Sequence, residues 1–249
     1  MARPLEFRLL GAGGEPVDLW RTLNSHGFVD LPPMRLDEEA RALEVTLPLD
    51  GSGPRTVRVS EGRPGYGMVA VRGPSPGARG SDRLLLAVRN VLRLDADLSP
   101  FYALAERDPD LAWAVTGAGR MVRSPTVFED VVKTICTTNC AWSATRRMVD
   151  AMVEHLGRPA PGAPRSGPLG RAFPTPAAMA EAGEGFYRDV ARAGYRGAYL
   201  VSLARATAEG RLDLEVLGRA TPHDLPTTSS RPDCSRSRGS GPTRPPTSC

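Results

Sequence analysis

The sequence predicts an α+β protein. A small N-terminal antiparallel sheet domain is expected over residues 1–80, an all-helical domain over 81–219 and a disordered tail over 220–249. Three observations carry this reading. Short alternating or β-branched runs, separated by Gly and Pro, fill the first ~75 residues. From Ser81 the apolar spacing changes to the 3.6-residue period of helices. After Ala220 aliphatic residues all but vanish.

In the first part, Leu5–Leu10 reads as a strand and Val17–Ser25 as a short helix. Ala42–Leu49, Thr56–Ser60 and Met68–Arg72 read as further strands of an antiparallel sheet covered on one face. In Asp82–Leu94, Leu85, Val88 and Leu92 fall on one helical face, with Leu84 and Val91 beside it. Ser99–Arg107 opens with Ser-Pro, an N-cap followed by the one position where a missing N–H costs nothing. Asp110–Thr116 is a short helix stopped by Gly117.

Ser124-Pro125 is expected to open the next helix by the same device. Its stripe is Phe128, Val131, Val132, Ile135 and Cys136. The polar turn Thr137-Thr138-Asn139 follows, then a second helix with Thr145, Met148, Val149, Met152, Val153 and Leu156 as its stripe, ended by Gly157. The two form an αα-hairpin. Arg158–Arg171 is a Pro- and Gly-rich loop, and helices are expected at Ala177–Ala182, Gly185–Ala193 and Arg196–Glu209. Leu212–Leu217 is a last apolar turn.

Leu225 is the single aliphatic residue of Thr221–Cys249, so this segment cannot offset its conformational entropy by apolar burial. Four Arg against two Asp in the tail supply half of the chain's net charge of +4, which weakens overall charge as an argument for nucleic acid. No apolar run approaches the ~20 residues of a membrane span, and Met1–Leu10 lacks the pattern of a signal peptide. A cytoplasmic protein is therefore expected; that it is a nucleoid-associated monomer is a further expectation, which rests on the resemblance described below. Cys136 and Cys140 stand four apart with no second pair at metal-ligand spacing near them, and Cys234 and Cys249 lie in the tail. A buried thiol and a helix-end thiol are expected, with no metal and no cofactor.

Three stretches together resemble the helix-hairpin-helix DNA glycosylase superfamily, in particular its 8-oxoguanine and 3-methyladenine branches. They are Gly119–Asn139, similar to the family's first helix and following turn; Phe173-Pro-Thr-Pro; and Gly194-Tyr-Arg-Gly-Ala-Tyr199, which begins the helix that precedes the family's hairpin. Leu94–Arg107 also resembles the family's linker helix, and the resemblance covers roughly residues 1–217. It implies base-excision repair: hydrolysis of the N-glycosidic bond of a damaged base flipped out of double-stranded DNA. An asparagine in the turn after the first helix then contacts the orphaned partner base, and Asn139 occupies the matching place. Its amide both donates to and accepts from a base edge; the plain alternative is an asparagine that merely ends a helix. Tyr195 matches an aromatic that wedges against DNA, the alternative being a packed core tyrosine. Arg196 either reaches a phosphate or is a solvated helix-start residue. Thr137 and Thr138 either cap backbone groups or touch phosphate. The DNA-binding candidates are thus Asn139, Thr138, Tyr195 and Arg196.

Lys133, the chain's only lysine, is not expected to be catalytic. The family's Schiff-base lysine lies further along, in the hairpin, and Lys133 falls off the apolar stripe and is expected to face solvent. Asp130 and Asp150 read as solvated-face residues, and His26, His155 and His223 share no motif.

The resemblance implies a hairpin of the type Leu-Pro-Gly-Val-Gly after the Tyr195 helix, and an aspartate about one helix later. Neither stands in the sequence, so the helical domain is expected to be an incomplete glycosylase domain with no catalytic residue of its own. Losing the closing helices is also expected to expose the stripes at Phe128–Cys136 and Met148–Leu156. Written with GC-rich codons, Arg238–Cys249 encodes, in a shifted frame, Gly-Val-Gly-Pro-Tyr-Ala-Ala-Ala-His-Leu-Leu, a family-like hairpin and helix start. An out-of-frame tail is the hypothesis this motivates; coding DNA with no Pro-Gly-x-Gly hairpin in the alternate frame rejects it. The alternative is a non-catalytic DNA-binding or regulatory module. No nucleophile–base pair, metal cluster or phosphate loop supports an unrelated enzyme.

Overall fold

A computed structural model describes residues 4–49 and 51–219. The predicted tail, with His223, Leu225, Cys234 and Cys249, lies outside the described residues.

Strands β1 (Leu5–Arg8), β2 (Met34–Asp37), β3 (Ala42–Leu47), β4 (Arg55–Glu61) and β5 (Tyr66–Val71) form one antiparallel sheet in the order β1-β5-β4-β3-β2. Its register aligns Leu43 with Val59, Val45 with Val57 and Val59 with Val69, so one face presents a continuous β-branched and leucine surface. That face is closed by α1 (Leu19–Leu23), whose first turn is capped by the Asp18 carboxylate accepting from Arg21 N at 2.9 Å, and by α2 (Gly77–Val91). Leu84, Val88 and Val91 of α2 share the core of Leu19, Leu23, Leu43, Val57 and Val69. The division at residue 80 thus marks a change of period within one core. The stripe of α2 is turned slightly from expectation: Leu84 is fully buried and Leu85 only partly. Strand β2 was not anticipated. Its four residues, Met-Arg-Leu-Asp, carry little β signal, and their pairing with β3 comes from the sheet edge.

After α3 (Ser99–Ala105) and a 3-10 turn over Ala112–Thr116, six helices follow: α4 (Val127–Thr137), α5 (Trp142–Leu156), α6 (Pro176–Glu181), α7 (Gly183–Asp189), α8 (Arg196–Ala208) and α9 (Glu215–Arg219). Gly117 ends the 3-10 turn at φ 114°, and a side chain there would meet the backbone of Asp18. Helix α4 starts two residues later than the Ser-Pro pair suggested. Its N-cap is Thr126, whose hydroxyl accepts from Glu129 N at 3.2 Å. The Glu215 carboxylate of α9 accepts from Val127 N and Phe128 N at 3.2 and 3.3 Å, placing an anion where the helix dipole favours one.

The expected exposure of the two stripes is contradicted. Phe128, Val132 and Cys136 of α4 and Met148, Val149, Met152 and Val153 of α5 are all buried, in one core with Met179, Tyr187, Leu200, Val201 and Ala204. Helices α6, α7 and α8 supply the cover, and Tyr187 satisfies its hydroxyl inside it by donating to Met179 O at 2.8 Å.

The placement of Lys133 is also corrected. Its side chain is fully buried, 2.6 Å from Glu129 Oε1 one helical turn earlier. The ammonium reaches Ser124 Oγ at 3.4 Å and Leu31 O at 3.5 Å, and the Phe173 ring lies 5.9 Å away. A charge is tolerated at this depth because an opposite charge and hydrogen-bond acceptors surround it. Burial raises the Glu129 carboxyl above the usual range, against the opposing pull of Lys133. A hydrogen bond from Ser124 N to the Asp130 carboxylate at 3.1 Å gives that side chain a structural task beyond the solvated face expected of it. Asp150 is half-buried, and this burial raises its carboxyl.

Candidate nucleic-acid interface

The four residues singled out for DNA contact converge. Helix α4 ends at Thr138, and Asn139 follows in the left-handed region at φ 45°. Asparagine is the residue other than glycine that takes this conformation most readily. Fifty-six residues on, the turn between α7 and α8 brings Tyr195 alongside. The Thr138 hydroxyl donates its single proton to Ile135 O at 2.8 Å. It therefore accepts from Arg196 Nε at 3.2 Å and from the Tyr195 hydroxyl at 3.3 Å. The Tyr195 oxygen in turn accepts from Asn139 Nδ2 at 3.3 Å. This order of donors leaves the Asn139 side-chain oxygen and one amide hydrogen without a partner among the described residues, on an exposed turn.

Arg196 departs from both readings of it. It is neither solvated nor held out toward a phosphate but buried, at 7% exposure. Besides Thr138 Oγ1, its guanidinium binds Thr138 O and Ala193 O at the ends of the two turns. Its plane lies 4.6 Å from the centre of the Tyr195 ring. Its geometry is that of a clamp holding the two turns together. Thr138 caps backbone by donating to Ile135 O, and Thr137 does likewise by donating to Thr134 O at 2.7 Å. Tyr195 is not a core residue: it is 55% exposed, and the exposed Tyr199 packs edge-on against it with ring centres 6.2 Å apart.

Sequence reasoning missed Trp142. It stands three residues after Asn139 at the start of α5, 41% exposed, with its ring edge over Gly27. Gly27 opens the 3-10 turn Gly27–Asp30, which His26 caps by accepting from Phe28 N at 3.2 Å. A large aromatic left exposed next to a polar turn was the available signal. Trp142 on the helix that follows Asn139, and Tyr195 and Tyr199 at the start of α8, are thus three exposed aromatic rings.

Of the cysteines, Cys136 is buried and Cys140 is half-buried with its thiol 3.1 Å from Cys136 O, as expected for a core thiol and a helix-end thiol. Burial pushes the Cys136 thiol up to about 12. Among the described residues no group of His, Cys, Asp or Glu is arranged to hold a metal, and no helix is long and apolar enough to cross a membrane.

No family model matches the chain, and no curated protein matches it in sequence. Solved structures do match its fold. The 3-methyladenine DNA glycosylase of Archaeoglobus fulgidus superposes with a TM-score of 0.63 at 18% identity, over 86% of this chain and 69% of that one. The apo 8-oxoguanine glycosylase/lyase of Clostridium acetobutylicum gives 0.62 at 17%, over 87% and 68%. MBOgg1 in complex with a low-affinity DNA ligand gives 0.62 at 18%, over 89% and 68%. The chain therefore has the α+β fold of the DNA glycosylases, the fold implied by the resemblance to the helix-hairpin-helix superfamily. A sheet backed by α2 and a helical half built on the α4–α5 hairpin make up that fold here.

Proposed function

We propose that this chain is a lesion-recognition body of the base-excision repair type, acting on double-stranded DNA that carries a damaged base. The observation that carries the reading is the placement of Asn139. It is exposed in a left-handed turn, its amide braced on the Tyr195 hydroxyl with one N–H and the oxygen left over among the described residues, and Tyr195 itself is exposed. Flipping a base leaves a gap in the stack and an orphaned partner. A protruding asparagine fills such a gap and pairs with a base edge, while aromatic faces take up the stacking that the duplex loses.

The chemical step asks for more. Breaking a glycosidic bond develops positive charge on the sugar, which a carboxylate beside it stabilises. Among the described residues no carboxylate belongs to the hydrogen-bonded network of Thr138, Asn139, Tyr195 and Arg196. The reading is therefore binding and distortion of damaged DNA without base release by this chain alone. The test is incubation of the protein with duplexes carrying 8-oxoguanine or an alkylated base, followed by alkaline cleavage to reveal abasic sites. Tighter binding to a duplex with an abasic analogue than to an intact duplex, without base release, supports it. Release of either base shows a working enzyme and overturns the inactive reading; equal affinity for both duplexes overturns lesion recognition.

A further inference from the structure

Three arginines flank the two turns just described and have no part in their bonding. Arg146 and Arg147 stand on the second turn of α5, and Arg192 sits in the α7–α8 turn with φ 52°. All three are exposed. None lies within ion-pairing distance of a carboxylate among the described residues, and Arg147 and Arg192 have no polar partner there. Other exposed arginines behave differently: Arg188 pairs with Asp189 at 2.8 Å, and Arg211 is likewise bound to Glu209. Ser143, Arg146, Arg147 and Asp150 fall on one face of α5 by helical spacing. With Val190 from the end of α7 they line a hollow of about 360 Å³, two residues from Arg192.

Two carboxylates share the hollow, and they weight the arginines unequally. Glu154 is engaged, accepting from Gly167 N at 2.7 Å. Asp150 is half-buried and feels the charge of Arg146, four residues before it. Arg146 thus has a carboxylate one turn away that feels its charge, while Arg147 and Arg192 have no polar partner among the described residues.

We propose that this face is a seat for the phosphodiester backbone of a nucleic-acid strand, with Arg147 and Arg192 each contacting a phosphate and Arg146 contributing less. The proposal rests on the DNA-binding reading above and adds the residues that position the duplex on the Asn139 turn. Phosphate contacts position without reading sequence, and guanidinium groups suit them through their fork of donors.

Salt dependence tests it directly, because each neutralised phosphate adds about 0.9 to the slope of log affinity against log salt. The full-length chain is titrated, by fluorescence anisotropy, into a labelled duplex with one abasic analogue at several salt concentrations. Arg147→Gln/Arg192→Gln is expected to flatten the slope by roughly 2, and Arg146→Gln by less than about 1. Arg147→Lys/Arg192→Lys, which keeps the charges, is expected to hold most of the slope. Arg8→Gln, on the far edge of the sheet, is expected to change nothing. An unchanged slope in the Gln pair, with its thermal melt intact, overturns the phosphate seat while leaving lesion recognition standing. A wild-type chain that binds no duplex overturns both.

Discussion

Arg196, at the start of α8, holds the backbone carbonyl of Thr138, the residue that closes α4, and so locks two turns that lie 58 residues apart in sequence. Removing it deprives the part-buried Thr138 O of its charged partner and unties the two turns. Arg196→Ala is expected to cost about 1–3 kcal/mol, read as a fall in denaturation midpoint. Arg196→Lys is expected to rescue little, because an ammonium cannot span Thr138 Oγ1, Thr138 O and Ala193 O with one planar fork. Full rescue by lysine would show that charge alone is what the site requires.

Asn139 makes separable demands on backbone and side chain. Its φ of 45° is comfortable for glycine and strained for most other residues. Asn139→Gly is expected to keep the melting temperature within about a degree or two, and Asn139→Val to lower stability by roughly 1–2 kcal/mol. Both variants lose the amide. A pair of melts compared with a pair of binding curves separates the strain from the recognition.

The buried ion pair Lys133–Glu129 predicts a strongly non-additive mutant cycle. Lys133→Met leaves the buried Glu129 carboxylate uncompensated and is expected to cost about 3–5 kcal/mol. The double variant Glu129→Gln/Lys133→Met removes both charges and is expected to recover most of that loss. Urea denaturation of the four proteins checks this. Additive losses would mean that the two side chains act independently.

The Cys136 thiol, pushed up to about 12 by burial, predicts an alkaline limb in stability. The folded state holds this proton more tightly than the unfolded chain does. The contribution is therefore complete below the ordinary thiol pKa near 8.5 and is lost as pH rises toward about 12. Cys136→Ala is expected to flatten the decline above pH ~9, where thiols ordinarily ionise. In the native protein at about pH 8, iodoacetamide is expected to modify Cys140 well before Cys136, because the thiolate is the reacting form. Peptide mapping reads the order, and early modification of Cys136 would show that the core of α4 opens readily.

Much of the fold was legible because the periodicities are local. The stripes of α4 and α5 are visible in sequence, and the structure buries them. Whatever depended on distant partners was not. Strand β2 owes its pairing to β3, and the cover over the two stripes comes from α6, α7 and α8, whose short apolar patterns give no hint of where they dock. Lys133 looked exposed because its helical position lies off the stripe. Glu129 four residues earlier was a visible signal, whereas Ser124, Leu31 and Phe173 meet it only in space. At the candidate site, Asn139 and Tyr195 were singled out through the family resemblance, and the structure brings their side chains within 3.3 Å of each other. The burial of Arg196 and the exposure of Trp142 follow from how two turns and one glycine come together.

On the proposed reading, the Asn139 turn recognises a disrupted base pair. The most direct measurement compares the affinity of the wild-type chain and Asn139→Gly for a duplex with an abasic analogue and for the same duplex intact. The account predicts a clear preference for the abasic duplex in wild type, lost in Asn139→Gly while affinity for intact DNA stays the same. Equal preference in the two proteins, or none in wild type, would contradict it.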